Sequence, residues 1–269
     1  MERKNIIPGS REDRKNWDAE EADRRRYTPR ILPPEPDAIL AYYLKRNRER
    51  TTACEMLAEK MQAPEGLRMA IQKNGRLSEL SLKLLETAMT AAHIPFAREV
   101  REEWQKSRKM VFALAERPNI RLISARQSDI PWYIESGNAD YGVVGEDQLV
   151  EKEPLVKVLA RLGQGEISLV IAVPNESKIR KMKDLSEKVI ATSFPNTLKK
   201  ELGKRNIAPK KITVLGGSVE AGAVIGFADA ICDLTETGET LKENGLRELE
   251  TIRDYEALLI GKAAGTQGL

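Results

Sequence analysis

The chain has 269 residues, with 44 Lys or Arg against 41 Asp or Glu and a formal net charge of +3. That balance is not the clear basic excess of a nucleic-acid binder, and no apolar run reaches the ~18 residues a membrane span needs. One histidine, His93, and two distant cysteines, Cys54 and Cys232, leave little for a Ser-His-Asp triad or a zinc site, so chemistry falls to carboxylates, arginines, hydroxyls and backbone amides.

The first 37 residues are dense in charge and broken by proline in TPRILPPEPD. They read as mobile or draped over a partner surface. Arg24, Arg25 and Arg26 can touch phosphate, although a solvated charge cluster balanced by nearby acids is the favoured reading. The stretch has no apolar core of a secretory signal, and its acids argue against an organellar transit peptide. With two unpaired thiols, a reducing cytoplasmic setting follows. DAILAYYLKRNRERTTACEMLAEKM then fits one or two helices, with Asp37 as an N-cap. Together, residues 1–66 form an extension ahead of the main body.

From Leu67 the texture changes. LRMAI, IRLIS, DYGVVG, ISLVIAV, KVIATS, KITVLG and DAICDL read as strands. Between them LSELSLKLLETAMTAA, SDIPWYIESG, TLKKELGKRN and SVEAGAVIGF read as helices. His93, at the end of the first helical pattern, suits a C-terminal cap. Alternation of apolar strands with helices predicts an α/β fold with parallel sheets covered on both faces. In such folds ligands gather at the carboxyl ends of strands.

Four loops at such ends carry candidate chemistry. In IQKNGRLSELS, Gly75 gives backbone freedom, Arg76 a planar fork of donors, and Ser78, Glu79 and Ser81 open the next helix. In ISARQSDIPWYIESGNADYGVVGED, Arg126 ends a strand, Asp129 caps a helix and Pro131 fits its first turn. Glu146 and Asp147 follow Gly145 into another helix. A guanidinium at a strand end suits a phosphate or carboxylate. TVLGGSVEAG offers free amides before a helix, and Glu220 is either a dipole cap or a substrate contact. Last, ICDLTETGETLKENGL turns from strand to helix through Glu236, Thr237, Gly238, Glu239 and Thr240. Hydroxyls, amides and a glycine at a helix start suit a phosphate. The carboxylates of Asp233 and Glu236 would repel it and suit sugar hydroxyls instead, so a 5-phosphoribosyl group fits both halves.

The segments LRMAIQKNGRLSELSLKLLETA, SARQSDIPWYIESGNADYGVVGEDQLVE, KVIATSFPNTLKKEL, LGGSVEAGAVIGFADAICDLTETGETLKENGL and EALLIGK, in this order over residues 67–262, resemble the ATP phosphoribosyltransferase family. The resemblance implies a two-domain fold like that of periplasmic binding proteins, with the active site in the cleft between domains. One domain would comprise 67–157 and 244–269, the other 158–243. The implied reaction joins adenine N1 of ATP to C1 of 5-phosphoribosyl 1-pyrophosphate in the first step of histidine biosynthesis. Magnesium would be bound with the substrate phosphates and not directly by the protein.

By the same resemblance, Asp233 and Glu236 contact the ribose, while Thr237, Gly238, Glu239 (through its amide) and Thr240 hold the 5-phosphate. Lys73, Arg76, Arg108, Arg126 and Asp147 bind ATP and pyrophosphate, and Arg76, Arg126, Glu220 and Asp233 carry the catalytic roles. Glu239 departs from the arginine or small residue frequent there, so its side chain must face solvent or a cation. The chain stops soon after EALLIGK, without room for the histidine-binding domain of longer members. It therefore resembles the short form, which forms oligomers and works with a regulatory subunit similar to histidyl-tRNA synthetase. The extension would contact a partner or reinforce the oligomer. Rival readings are a two-domain binding or assembly subunit without turnover, and transfer to another base.

Overall fold

The computed structural model describes residues 36–95 and 98–263. The arginine triplet and nearly all of the proline-broken segment fall outside the described residues. Residues from Tyr43 onward form one unit by their contacts.

Helix α1 is continuous over Pro36–Gln62. It starts at Pro36, a residue suited to a first turn, so Asp37 is its second residue and not its N-cap. Ala53, Cys54, Leu57, Ala58 and Met61 recur at helical spacing and are buried. They share a core with Leu82, Leu85 and Met89. The C-terminal half of α1 is thus part of the main body, where the sequence suggested an appendage.

Gly66 turns the chain into strand β1, Leu67–Gln72, at φ 70°. A Cβ there would lie 2.2 Å from the Asn119 carbonyl oxygen. Helices α2 (Ser78–Ala91) and α3 (Arg98–Lys106) follow, then β2 (Val111–Ala113) and β3 (Ile120–Ala125). Next come α4 (Ile130–Glu135), β4 (Tyr141–Gly145), α5 (Glu146–Lys152) and β5 (Val156–Arg161). With β11 (Ala257–Lys262) these strands make a six-stranded sheet in the order β2-β3-β1-β4-β11-β5. Alternation in β1 sends Met69 and Ile71 to the core beneath α1 and α2 and Ala70 to the core beneath α4.

The second sheet holds β6 (Ile167–Pro174), β7 (Val189–Thr192), β8 (Lys211–Val214), β9 (Ala230–Thr235) and β10 (Leu246–Tyr255), in the order β10-β6-β9-β7-β8. Helix α6 (Pro195–Lys204) covers one face. Helices α7 (Glu220–Val224) and α8 (Glu239–Glu243) cover the other, so Ile171 packs with Leu198 and Ala172 with Ala223 and Leu241.

Two expectations change. The sheets are covered on both faces but are mixed: β2 and β11 run against the remaining strands of the first, and β6 alone against those of the second. The chain also changes sheets at 162–166 and at Glu256, not at 157/158 and 243/244. The reason is pairing: β5 zips along β11, and β10 runs the full length of β6 from Leu246↔Pro174 to Tyr255↔Ile167. Among the described residues no helix is long and apolar enough to cross a membrane.

Candidate functional site

In the second sheet β8, β7 and β9 are parallel, and their carboxyl ends coincide: Thr192 pairs with Val214 on one side and Cys232 on the other. Thr192 Oγ1 donates to the Cys232 carbonyl (2.7 Å) and accepts from the Phe194 amide (2.9 Å), which fixes the turn after β7. Ser193 Oγ then donates to Asp233 Oδ1 at 3.1 Å. Burial above all pushes the Asp233 carboxyl up to about 6, against the pull of the Leu234 amide and Ser193, with a smaller upward push from Glu220. Glu220 is the first residue of α7. Ahead of it the Gly216, Gly217 and Ser218 amides have no acceptor among the described residues, with Ser218 at φ 47°.

From β9 the chain turns through Gly238 at φ 77°, the residue before α8. A Cβ on Gly238 would meet only open space, so its need for glycine is conformational. Its amide donates to Thr235 Oγ1 (2.9 Å), and the Glu239 amide to Thr237 Oγ1 (3.3 Å). Both hydroxyls remain able to donate outward. Glu236, Thr237, Glu239 and Thr240 are exposed. The Glu239 side chain has no ion pair among the described residues, so it turns to solvent.

In the first sheet the parallel strands β3, β1 and β4 end together, Gln72 opposite Ala125. After β1 the chain passes Gly75 at φ 104° and presents Arg76. Its Nη2 stands 3.6 Å from Asp147 Oδ1, and its Nη1 donates to the Gly165 carbonyl. Asp147 is 1% exposed. It accepts from Gln148 Nε2 (2.8 Å) and Gln127 Nε2 (3.4 Å). Burial raises its carboxyl above the usual range, while Gln148 and Arg76 oppose the rise. Gly145 is the floor of this group: a Cβ there would fall 2.0 Å from Asp147 Oδ1 and 3.0 Å from Arg76 Nη2.

Lys73 donates to the Ser107 carbonyl and lies 5.4 Å over the Trp104 ring, beside exposed Arg108. Arg126 is exposed, and its guanidinium has no hydrogen bond or ion pair among the described residues. It adjoins Gln127, which reaches Asp147.

The structure therefore brings together Arg76 with Asp147, and Asp233 with Glu220 and the turn at Gly238. Asp129 stands at the start of α4 without a side-chain cap bond, because its carboxylate accepts from Ser128 instead. His93 follows α2 at φ 57°, its amide on the Thr90 carbonyl. Both cysteines are buried free thiols. The residues that sequence reasoning missed are Ser193, Thr235 and Gln127, together with the close approach of Arg76 and Asp147 to Gly145. Ser193 and Thr235 close the runs KVIATS and CDLT, and a hydroxyl ending an apolar strand was the available signal.

A family profile described as "HisG: ATP phosphoribosyltransferase" matches residues 126–268. A Cytophaga hutchinsonii protein called ATP phosphoribosyltransferase is 37% identical over 193 residues, covering 72% of this chain and 63% of its own length. A Methanocella arvoryzae protein of the same name is 37% identical over 202 residues, with 75% and 67% covered. The chain thus spans about two thirds of these relatives. Among solved structures, the ATP phosphoribosyl transferase (HisG:HisZ) complex from Thermotoga maritima aligns at TM-score 0.57 and 31% identity, over 73% of this chain and 87% of that one. The periplasmic aliphatic sulphonate binding protein SsuA from Escherichia coli aligns at TM-score 0.50 and 15% identity, over 74% and 65%, a likeness of fold alone.

Proposed function

Because the chain belongs to the HisG family of ATP phosphoribosyltransferases, we propose that it joins ATP to 5-phosphoribosyl 1-pyrophosphate, giving phosphoribosyl-ATP and pyrophosphate in the first step of histidine biosynthesis. The observation that carries the reading is Asp233, held by Ser193 beside a hydroxyl-rich turn that opens at Gly238. A carboxylate next to hydroxyl donors at a helix start matches a ribose diol next to its phosphate.

In this proposal the two sheets are the two domains, and the strand ends described above face the cleft between them. Thr237, Thr240 and the amides of Gly238 and Glu239 hold the 5-phosphate. Asp233 and Glu236 accept hydrogen bonds from the ribose hydroxyls, with Glu220 beside them. The adenine N1 lone pair forms the new bond to C1 while the bond from C1 to the pyrophosphate oxygen breaks. No protein base is needed. As positive charge grows on the sugar ring, the Asp233 carboxylate stabilises it. Arg76 and Arg126 neutralise the departing pyrophosphate, and Arg76 is preorganised by Asp147. Lys73 and Arg108 extend the same cationic edge. Magnesium arrives with the substrate phosphates.

We also place the enzyme in the cytoplasm, as an oligomer with a regulatory subunit. The two-protein complex from Thermotoga maritima supports the regulatory subunit. The fold likeness to a periplasmic binding protein is equally compatible with binding alone; the hydroxyl-rich turn after Asp233 favours transfer. The test is to incubate the full chain with both substrates and Mg²⁺, with and without a regulatory subunit, and follow phosphoribosyl-ATP by its absorbance. Product supports the assignment, and its absence in both arms sinks it.

A further inference from the structure

The chain passes between its two sheets through a short crossing after β5 and again at Glu256. Helix α1 grips both. Arg46 Nη2 donates to Glu256 Oε1 at 2.7 Å, and Glu256 is 2% exposed. The Arg46 stem lies over Gly163, where an added Cβ would fall 2.9 Å from Arg46 Cβ and Cγ. One turn along α1, Glu49 Oε2 accepts from the Arg161 amide at 2.8 Å.

The grip continues toward the nucleotide end of the candidate site. Arg161 bridges Glu256 (2.9 Å) and Glu146 (2.8 and 3.0 Å). The Glu146 amide donates to the Glu256 carbonyl at 2.9 Å, and the Gly163 amide to Glu256 Oε2 at 3.0 Å. Glu146 immediately precedes Asp147. On its other side the same crossing offers the Gly165 carbonyl to Arg76. Five residues of backbone, 161–165, are therefore fastened by α1 on one side and by the site arginine on the other.

We propose that Arg46 is a positioning residue for the nucleotide end of the site, fixing through Glu256 and the 161–165 crossing where Arg76 and Asp147 stand. This rests on the functional reading above for the identity of the nucleotide. It gives the charged extension a role inside the catalytic unit, distinct from contact with a partner. Arg46 touches no substrate in this scheme. Its effect passes through the placement of a guanidinium that must meet phosphate oxygens within fractions of an ångström.

The test is equilibrium titration of the full chain with ATP and, separately, with ribose 5-phosphate, which suits the turn at Gly238 but carries no pyrophosphate for Arg76 to meet. In Arg46→Met, which keeps the stem over Gly163, ATP binds at least about tenfold more weakly while the second ligand stays within roughly twofold. Arg46→Lys restores part of the loss. Equal loss for both ligands, no loss in a folded variant, or a wild-type chain that binds neither ligand overturns the proposal. If Arg46→Met does not fold, Glu49→Gln decides by the same split, with a smaller effect expected. A wild-type chain that binds ATP yet forms no phosphoribosyl-ATP, with or without a regulatory subunit, refutes the transferase reading while the titrations still judge Arg46.

Discussion

Arg76, in the loop after β1, and Asp147, in the first turn of α5 after the paired strand β4, face each other at 3.6 Å across Gly145, whose missing side chain leaves the room they occupy. A buried carboxylate that is costly to ionise is kept beside the guanidinium that our proposal aims at phosphate. Asp147→Asn keeps the shape and removes the charge. We expect the KM for ATP to rise about tenfold, with the thermal midpoint at neutral pH unchanged or higher. A lower midpoint with normal KM would mean that Asp147 serves folding alone. Gly145→Ala drives a methyl into the same pair, and both activity and stability fall.

Asp233 yields a prediction with a definite sign. Its carboxyl titrates near 6 when folded and near 3.8 when unfolded, so the folded chain binds this proton more tightly. Above about pH 6 its ionised form therefore costs stability, up to about 3 kcal/mol. That cost shrinks as pH falls through 6 and is gone below the unfolded value. Asp233→Asn should raise the melting temperature at pH 7.5, by an amount that vanishes near pH 4. The same variant loses use of the phosphoribosyl donor. In the wild type, kcat/KM for that donor falls as pH drops through about 6.

Ser193 sets part of that titration by donating to Asp233. Ser193→Ala removes a bond that favours the ionised form, so the acid limb of the pH profile moves upward by roughly half to one unit. An unmoved limb would remove Ser193 from the site.

Truncation tests how integral α1 is. A chain starting near Pro64 lacks Leu57 and Met61, both fully buried, each worth about 1.5–3 kcal/mol. The truncated chain is expected to be insoluble or to bind hydrophobic dye. Leu57→Ala, costing about 2–5 kcal/mol, gives the milder version by thermal melt. A soluble truncated chain with an unchanged midpoint would contradict this packing.

Much of the fold was legible where burial makes the pattern simple. The apolar runs of β1, β3, β4, β6, β7 and β9 are covered on both faces and read as strands within a residue or two. Among the misses, β11 lies inside the first sheet, while β5 and β10 are edge strands. In β10 the run LRELETIRDY carries charges on its exposed positions, and in β5 Lys157 and Arg161 flank the run Val158 to Ala160. Such charge protects a sheet edge, and it also hides the strand among helical patterns. Pairing partners are decided by tertiary packing, so the reversed β6 and β11, the place of β10 beside β6 and the two sheet crossings were not readable. The loops of the site were visible as Gly, hydroxyl and acid clusters after strands. Their support was not, because Ser193 to Asp233, Gln127 to Asp147 and Arg46 to Glu256 join residues far apart in the chain.

The most direct test of the central claim, that one strand-end cluster holds the phosphoribosyl group and the other the nucleotide, is a paired measurement of both substrates' KM in Thr237→Ala and Arg76→Met. Loss of one charged-phosphate hydrogen bond costs about 1.5–3 kcal/mol, roughly 10- to 150-fold. The account predicts that Thr237→Ala raises the KM for 5-phosphoribosyl 1-pyrophosphate by that order with little change for ATP, and that Arg76→Met, at a residue facing both the nucleotide and the departing pyrophosphate, raises the KM for ATP by that order and lowers kcat. Equal effects of Thr237→Ala on both substrates, or an unchanged KM for ATP in Arg76→Met, would contradict it.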